Sequence, residues 1–264
     1  MHVARVGIAI VTYNRPAHLR ICLESVLRYC NFKAVHLSVF DDDSSYEVGD
    51  IVNDRCIIHR SKHNMGVVTS KNRALYYYSV VNPVETIIMI EDDTEITSKT
   101  WIKDWYVATR YFGHMNYALP YFFDDGCRKY YSGGTGTTTD PFRFSLITGQ
   151  CMTVQSGVVL TKVGYFNPKF KGFGYGHCEW SQRLVNTGFG GYKEKLENSQ
   201  LRYVYYSICS GLRPLQSETF RDEQQVAKNA EVMAIRDRLP TMVAEPWLNE
   251  DGKQSFLESI CHKS

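Results

Sequence analysis

Two runs of acidic residues are the part of this sequence best suited to chemistry. Residues 41–43 are three aspartates and residues 91–93 are Glu-Asp-Asp, and each run directly follows an apolar stretch rich in β-branched residues. Carboxylate oxygens are hard ligands that suit Mg²⁺ or Mn²⁺, which keep coordination positions open for phosphate oxygens. The competing interpretation is a solvated turn, and we favour it for Asp42 and Asp43, which lie further from the strand end.

A second group of reactive side chains follows a glycine-rich segment. Residues 172–176 contain three glycines, which permit close backbone approach, and the next polar residues are His177 and Glu179. His177 is a candidate base, metal ligand or helix-capping group. Glu179 and Arg183 are four residues apart on a predicted helix, so a simple ion pair on the helix surface is the alternative for them.

The elements that must position these residues are three predicted strand, loop and helix units. Apolar runs at residues 6–11, 35–40 and 86–90 each end abruptly in polar residues, and helix-like segments lie between them. Such alternation indicates right-handed crossovers and a parallel sheet. The carboxyl ends of parallel strands lie at one edge, where open α/β sheets bind ligands. We therefore expect Tyr13, Asp41 and Asp92 to converge there.

Composition excludes several classes of protein. The chain has 264 residues, and 30 Lys+Arg against 28 Asp+Glu leave a net charge of +2, so we expect no general nucleic-acid binding. The eight cysteines form no C-x-x-C pair, which argues against structural zinc and favours free thiols in a reducing compartment. No apolar run approaches the roughly 18 residues of a membrane helix, and no signal-peptide pattern is present. We expect no membrane span and a cytoplasmic location, in the cytosol of a cell or of an infected host.

Four motifs taken together resemble the family 2 glycosyltransferases of the GT-A fold, and the resemblance covers roughly residues 4 to 190. They are Val11-Thr12-Tyr13-Asn14-Arg15, Asp41-Asp42-Asp43-Ser44, Asn64-Met65-Gly66 with the later Asn72, and Glu91-Asp92-Asp93 in the place of a D-x-D motif. Each motif is weak alone, whereas four in the right order and spacing are strong. The resemblance implies an α/β GT-A fold with a mixed, mainly parallel central sheet flanked by helices.

The resemblance also implies a metal-dependent, inverting transfer of a sugar from a nucleotide-diphosphate sugar, most simply a UDP-sugar. The cofactor would be Mn²⁺ or Mg²⁺, held by Asp93 on the diphosphate. Asp92 would bind the ribose or the sugar, and residues near the nucleotide base would include Asp41. The donor-binding residues implied in this way are Val11, Thr12, Tyr13, Arg15, Asp41, Asn72 and Asp92.

The catalytic base of the family lies in a G-W-G-x-E-D pattern, which this chain matches only in part. Aligned on the glycines, Glu179 falls at the base position, and we take it as the base. Aligned on Arg183 instead, His177 falls there, and His177 is also a candidate third metal ligand. Trp180 and Tyr175 lie beside these residues and are the candidate acceptor-binding aromatics, because sugars stack on aromatic rings.

The chain is expected to form a single GT-A domain over residues 1–240. Residues 1–115 would be the nucleotide-sugar-binding half, residues 116–240 the acceptor-binding half, and residues 241–264 a tail that wraps the body or docks a partner. The acceptor would be a glycan, a protein or a modified base. The Q-x-x-R-W motif of processive synthases does not occur, so we expect one sugar to be added per encounter.

Aromatic residues are numerous in the expected acceptor half. The chain contains 18 Tyr, 13 Phe and 4 Trp, and Trp101, Trp105 and Tyr121 are further candidates for sugar stacking, with core packing as the alternative. The Gly/Thr-rich segment 132–141 is either a surface hairpin connection or a lid that orders on substrate binding. An amphipathic helix is predicted over residues 219–238, with Val226, Ala230 and Met233 facing inward.

Two rival functions remain open at this level. The residues at 41–43 also resemble the D-x-D motif of haloacid-dehalogenase-like phosphohydrolases, with residues 91–93 holding Mg²⁺. That interpretation leaves residues 12–15 and 174–183 without a role. The other rival is a catalytically inactive nucleotide-sugar-binding protein, suggested by the missing Glu-Asp pair.

Overall fold

In a computed structural model of the chain, one large mixed sheet is flanked by helices. The structure describes residues 5–30, 34–52, 54–172, 174–216, 222–234 and 241–261. The strands are β1 (Val6–Thr12), β2 (Val35–Asp41), β3 (Ile57–Arg60), β4 (Thr86–Glu91), β5 (Thr94–Ile96), β6 (His114–Tyr117), β7 (Tyr131–Gly133), β8 (Phe142–Phe144), β9 (Cys151–Gln155), β10 (Gly191–Lys195), β11 (Leu201–Ile208) and β12 (Leu212–Pro214). The helices are α1 (Pro16–Tyr29), α2 (Val67–Tyr76), α3 (Trp101–Phe112), α4 (Ser156–Val158), α5 (Gly176–Asn186), α6 (Glu223–Ala234) and α7 (Glu250–Cys261). Among these described segments, no helix has the length and apolar character needed to cross a membrane.

The main sheet is parallel in the half that carries the acidic motifs. Its strand order is β3-β2-β1-β4-β9-β6-β11-β8-β7, and β10 pairs with β11. The first four strands run parallel, whereas β9 is antiparallel to both β4 and β6, and β6 is parallel to β11. A small antiparallel pair, β12 with β5, stands apart from it. The predicted mixed sheet, mainly parallel at its core, is therefore confirmed.

The first strand and helix show why the polar motif falls at the sheet edge. All seven residues of β1 are buried, because β2 and β4 pair with it on either side, and β-branched residues favour such a strand. Pro16 begins α1, where its fixed φ suits a helix and its missing amide hydrogen costs nothing. Leu19, Leu23 and Val26 bury their side chains against the sheet, as the spacing predicted. Arg15 is thereby fixed between strand and helix.

The C-terminal segment packs on the domain. Residues 241–261 join it through a bridge between Val243 and Gly164, and α7 adds apolar side chains to the core on one face of the sheet. The buried guanidinium of Arg73 donates to the carbonyl of Ser259, in the last turn of α7. A cation at that position offsets the negative end of the helix dipole. The described part of this segment therefore packs on the body of the domain.

The predicted amphipathic helix near the C-terminus is present in part among the described residues. α6 spans Glu223–Ala234 and Asp222 precedes it, whereas residues 219–221 and 235–238 of the predicted range lie outside the residues that the structure describes. Its one fully buried residue is Asn229, whereas Val226, Ala230 and Met233 are half-buried. The Asn229 amide donates to the carbonyls of residues 171 and 174. The helix is therefore held by polar contacts to the glycine-rich segment as well as by an apolar face.

Buried His114 gives a testable pH dependence of stability. Its Nδ1 lies 2.6 Å from the carbonyl oxygen of Thr153, which can only accept, so Nδ1 carries the proton and Nε2 accepts from the Ser181 hydroxyl. Burial lowers the pKa of His114 to about 4, from 6.5 in the unfolded chain. The unfolded chain therefore binds the proton first as the pH falls. We expect this histidine to remove about 3 kcal/mol of stability between pH 6.5 and pH 4.

Urea unfolding at a series of pH values measures this effect. The His114→Gln variant should show a shallower loss of stability over that pH window, whatever its stability at neutral pH. His36→Gln, on β2 and four strands away from β6 in the sheet order, should keep the original slope. An unchanged slope in His114→Gln would show that His114 titrates alike in both states.

Candidate active site

The ends of β1, β2 and β4 meet at one edge of the sheet, as expected. Thr12 pairs with Asp41 in the strand register, and the Thr12 hydroxyl donates to Asp92 Oδ2 at 2.7 Å. The Asp92 amide donates to the carbonyl of Val11 at 3.2 Å, so Val11 contributes its backbone. Tyr13, 43% exposed, lies next in the chain and faces solvent. The edge therefore brings together residues that are up to 81 positions apart in the sequence.

Asp92 and Asp93 form a buried acidic pair that shares one cation. Arg15 Nη1 lies 3.2 Å from Asp92 Oδ1 and 3.4 Å from Asp93 Oδ2. Burial, aided by the charges of Asp93 and Glu91, raises the pKa of Asp92 to about 6, against the Thr12 hydrogen bond and the Arg15 charge. A carboxylate whose ionisation is opposed in this way is stabilised by a cation.

The chemistry of the Asp92 and Asp93 pair suits Mn²⁺ or Mg²⁺, whereas the sequence assigned the metal to Asp93 and proposed His177 as a further ligand. Such ions bind through one or two carboxylates and take their remaining ligands from phosphate oxygens and water. Within the described segments, no group of three or more His, Cys, Asp and Glu side chains is arranged to hold a metal. The adjacent carboxylates of Asp92 and Asp93 fit such an ion, and the metal role expected for His177 stays a prediction.

Asp41 reaches the edge, but its carboxylate is enclosed. The residue has no exposed surface; its Oδ1 accepts the Ser44 amide at 3.1 Å, and its Oδ2 lies 3.5 Å from Arg60 Nε. We therefore correct its predicted contact with the nucleotide base: Asp41 shapes the loop after β2. The same enclosure argues against the phosphohydrolase alternative, which needs an accessible aspartate nucleophile at this position.

Asp42 and Asn72 hold backbone segments in place. Asp42, expected to be a solvated turn residue, is buried and accepts the amides of Met65 and Gly66 at 3.0 and 2.7 Å. The fully buried Asn72 amide donates to the carbonyl of Phe166 and accepts its amide hydrogen. The predicted donor contact of Asn72 is therefore corrected to a structural one, because the backbone uses both ends of its amide.

Glu179, the predicted base, lies inside the protein in an ion pair with Arg183. Its side chain is 1% exposed, and its oxygens accept from Arg183 Nε at 2.6 Å and Nη2 at 3.0 Å. The same guanidinium donates to the carbonyls of Val163 and Tyr165. We correct the assignment: Glu179 neutralises a buried cation that holds the chain before α5, and an acceptor hydroxyl cannot reach it.

His177, on the other side of α5, lies in a cluster that the sequence did not reveal. Lys71 Nζ is 2.5 Å from Glu91 Oε1 and 2.8 Å from the carbonyl oxygen of Gly149. A Cβ atom on Gly149 would approach Glu91 Oε1 to 2.8 Å and His177 Cε1 to 3.0 Å, so these side chains surround the glycine. A larger residue at this position would press on the ends of these side chains and shift the cluster.

Burial keeps the imidazole of His177 neutral at ordinary pH. Burial lowers the pKa of His177 to about 4; the Lys71 charge lowers it and the Glu91 charge opposes the change. Burial alone would raise the pKa of Glu91, but its ion pair with Lys71 brings it below the ordinary value. The sequence offered one indication that Lys71 lies near the site. It directly precedes Asn72, a residue of the family motif, on a predicted helix.

The tryptophans considered for sugar stacking are core residues. Trp101, Trp105 and Trp180 have no exposed surface, and the Trp180 indole donates to the carbonyl of Gly164 at 3.0 Å. The predicted acceptor role of Trp180 is therefore wrong, because its ring packs inside the domain. Tyr175, 38% exposed and directly before α5, remains available to a ligand.

The Gly/Thr-rich segment 132–141 forms a compact connection between β7 and β8. The carbonyl oxygen of Asp140 accepts the amides of residues 135–137 at 3.1, 2.9 and 3.2 Å. The Asp140 carboxylate pairs with Arg143 at 2.5 Å. These contacts close the loop on itself, which favours the hairpin interpretation over the lid.

Comparison with known proteins places this geometry among sugar transferases. Residues 7–131 match the sequence model of Glycosyl transferase family 2. The fold is similar to that of S. aureus TarS 1-349, with a TM-score of 0.52 and 12% identity over 97% of this chain and 70% of that chain. It is also similar to the mannosyltransferase PcManGT from Pyrobaculum calidifontis, with a TM-score of 0.57 and 12% identity over 97% and 69%. No curated protein sequence matches the chain.

The comparisons show a Glycosyl transferase family 2 region in the first half of the chain and a fold similar to that of known glycosyltransferases. The family match spans residues 7–131, whereas the resemblance was expected to cover roughly residues 4 to 190. The structural similarity extends into the second half of the chain, because the alignments with TarS and PcManGT each include 97% of the whole chain.

Proposed function

We propose that this glycosyltransferase moves one sugar per encounter from a nucleotide-diphosphate sugar, with a UDP-sugar as the first candidate, to an acceptor hydroxyl. The observation that carries the proposal is the buried Asp92 and Asp93 pair beside Arg15 at the end of β4. Structures of TarS hold UDP or UDP-GlcNAc, and the PcManGT structure holds GDP-Man and Mn²⁺. These neighbours support a nucleotide-sugar donor.

Donor binding is assigned to the edge formed by β1 and β4. Asp92 and Asp93 would hold Mn²⁺ or Mg²⁺, which when bound offsets the charge that grows on the departing diphosphate. Arg15 supplies a second positive charge beside them and is 28% exposed, so it can turn towards phosphate oxygens. The exposed ring of Tyr13 offers a face for the nucleotide base.

His177 is assigned as the general base. Its neutral imidazole can accept the proton of the acceptor hydroxyl while that oxygen bonds to the anomeric carbon. The bond from that carbon to the diphosphate breaks, and its electron pair leaves with the nucleotide. A single displacement of this kind inverts the anomeric centre. The ion pair of Lys71 and Glu91 lies beside the base around Gly149, and Tyr175 would contact the acceptor.

A cytoplasmic location is part of the proposal. The seven cysteines whose side chains are described are all free thiols, and several lie in the core. Free thiols persist in reducing compartments, whereas secreted proteins commonly form disulfides. Thiol titration of the native protein purified from its cell would test this expectation.

The function is tested by a donor screen with and without Mn²⁺. Hydrolysis of nucleotide sugars and the shift in melting temperature are both measured, because a ligand that binds only the folded state raises that temperature. We expect at least one nucleotide sugar to be turned over in a metal-dependent manner. Asp93→Ala should lower this turnover at least tenfold while the protein stays folded, because it removes one of the two carboxylates.

Asp54→Ala, which removes an exposed aspartate, is the matched control and should retain turnover. Full metal-dependent activity of Asp93→Ala would overturn the metal assignment. Donor binding without any turnover in the unmodified protein would favour the inactive binding protein over the enzyme.

A further inference from the structure

The glycine-rich segment before α5 is strained at its last residue. Tyr175 has φ of 64°, in the left-handed region that a residue with a Cβ atom disfavours, and Gly174 before it has φ of 97°. Tyr175 directly precedes α5, so its backbone sets the direction in which that helix begins. Strained backbone of this kind persists only where contacts from elsewhere in the chain hold it.

Asn229 on α6 supplies such contacts. The residue is 1% exposed, and its Oδ1 accepts the amide hydrogen of Lys171 at 3.2 Å. Its Nδ2 donates to the carbonyl oxygens of Lys171 and Gly174 at 2.7 and 3.2 Å. The Gln225 side chain donates to the same Oδ1 at 3.1 Å, which fixes the orientation of the Asn229 amide. One buried side chain thus binds the backbone of the segment at both of these residues.

α6 is itself anchored to the domain. The Asp222 carboxylate, directly before the helix, accepts two amide hydrogens of the first turn at 3.0 and 3.1 Å, as an N-terminal cap does. Val232 and Met233 pack against the core on one face of the sheet. Asn229 therefore holds the glycine-rich segment against a fixed support.

The two groups that the proposed function places on the acceptor side follow within three residues of Gly174. Tyr175 would contact the acceptor, and His177, the assigned base, lies in the first turn of α5. Gly176 begins that helix in close contact with Val68, to which an added Cβ atom would approach within 2.7 Å. A displaced segment would move this first turn, and reacting groups misplaced by about 1 Å can lose about 10²-fold in rate.

We propose that Asn229 is a positioning residue for sugar transfer, which holds the glycine-rich segment so that His177 and Tyr175 meet the acceptor. This role rests on the proposed function and adds to it a residue that acts through others. The donor is assigned to the edge formed by β1 and β4, whereas Asn229 contacts the segment before α5. Loss of these contacts should therefore slow the chemical step and leave donor binding unchanged.

The test measures hydrolysis of the nucleotide sugar that the unmodified protein turns over in the donor screen, with water as the acceptor. Asn229→Ala should lower kcat at least fivefold, change the KM for the donor less than twofold, and keep the melting-temperature shift caused by UDP with Mn²⁺. Hydrogen exchange of the backbone amides in residues 174–176 should become at least tenfold faster, because the segment loses its side-chain contacts. Exchange in α2 should stay unchanged.

Two further variants of α6 are the matched controls. Lys228→Ala removes an exposed neighbour and should leave every readout unchanged. Val232→Ala weakens the packing of α6 and retains the Asn229 contacts, so it should lower the melting temperature but keep kcat within twofold. If Asn229→Ala does not fold, Asn229→Leu carries the test, because leucine fills a similar volume without the hydrogen bonds.

Three results would overturn the positioning role. They are a normal kcat in Asn229→Ala although residues 174–176 exchange faster, an equal loss of kcat in Val232→Ala, and a raised KM with an unchanged kcat. In each case, metal-dependent turnover by the unmodified protein would still support the proposed function. Absence of turnover from the unmodified protein would reject the proposed function itself, and the role of Asn229 with it.

Discussion

His177→Gln is expected to lower kcat for sugar transfer by roughly 10²–10⁴-fold, the range for losing a general base. Glutamine keeps a polar side chain of similar size but cannot take the acceptor proton. Donor binding should persist, because the residues that we assign to the donor lie on β1 and β4. The measurement is steady-state transfer together with the melting-temperature shift caused by the donor.

His36→Gln provides the matched control, since this half-buried histidine lies on β2 near the opposite end of the strand. It should leave kcat unchanged. A His177→Gln enzyme with full kcat would remove the histidine from the mechanism. If donor binding and transfer were lost together, His177 would instead belong to the donor site, and the base would have to be sought elsewhere.

Glu179→Gln is expected to act on stability and spare catalysis. Removing one partner of a buried ion pair leaves the other charge uncompensated and costs about 3–5 kcal/mol. Arg183 would keep its carbonyl acceptors at Val163 and Tyr165 but lose its counter-charge. Urea unfolding measures the loss, and the activity of the folded fraction should stay within a few-fold of that of the unmodified enzyme.

Two further variants sharpen this result. Glu24→Gln, on the exposed face of α1, should change stability by no more than about 0.5 kcal/mol. The double variant Glu179→Met/Arg183→Met should recover part of the lost stability, because apolar side chains of similar volume often replace a buried ion pair. A stable but inactive Glu179→Gln enzyme would contradict the structural role and return Glu179 to catalysis.

The correct and the wrong sequence predictions concern different physical questions. Asp92 and Tyr13 were expected at one edge because parallel strands must end there, whatever packs around them. Glu179 was chosen by its position in a glycine-rich motif, and that position does not say which way the side chain points. In α5, residues 177 and 179 lie about 200° apart around the helix axis, so one faces the site when the other faces the core.

The same difference explains the remaining corrections. Asn72 and Asp41 are polar residues in motifs that predict donor contacts, yet the chain uses them to satisfy buried backbone amides and carbonyls. A sequence lists such donors and acceptors without showing which backbone groups need them. Trp180 illustrates the apolar case, because an aromatic residue near a site serves equally well as core packing.

The sequence by itself determined the class of fold, the edge that carries the site, and the acidic pair on it, because these follow from strand periodicity and chain order. Tertiary structure alone decided which side chains remain available to a ligand. It enclosed Glu179 with Arg183, joined Lys71 and Glu91 beside His177, and bound Asn229 to the backbone before α5. Burial and hydrogen-bond pairing depend on partners that are distant in the sequence, so only the folded chain could settle them.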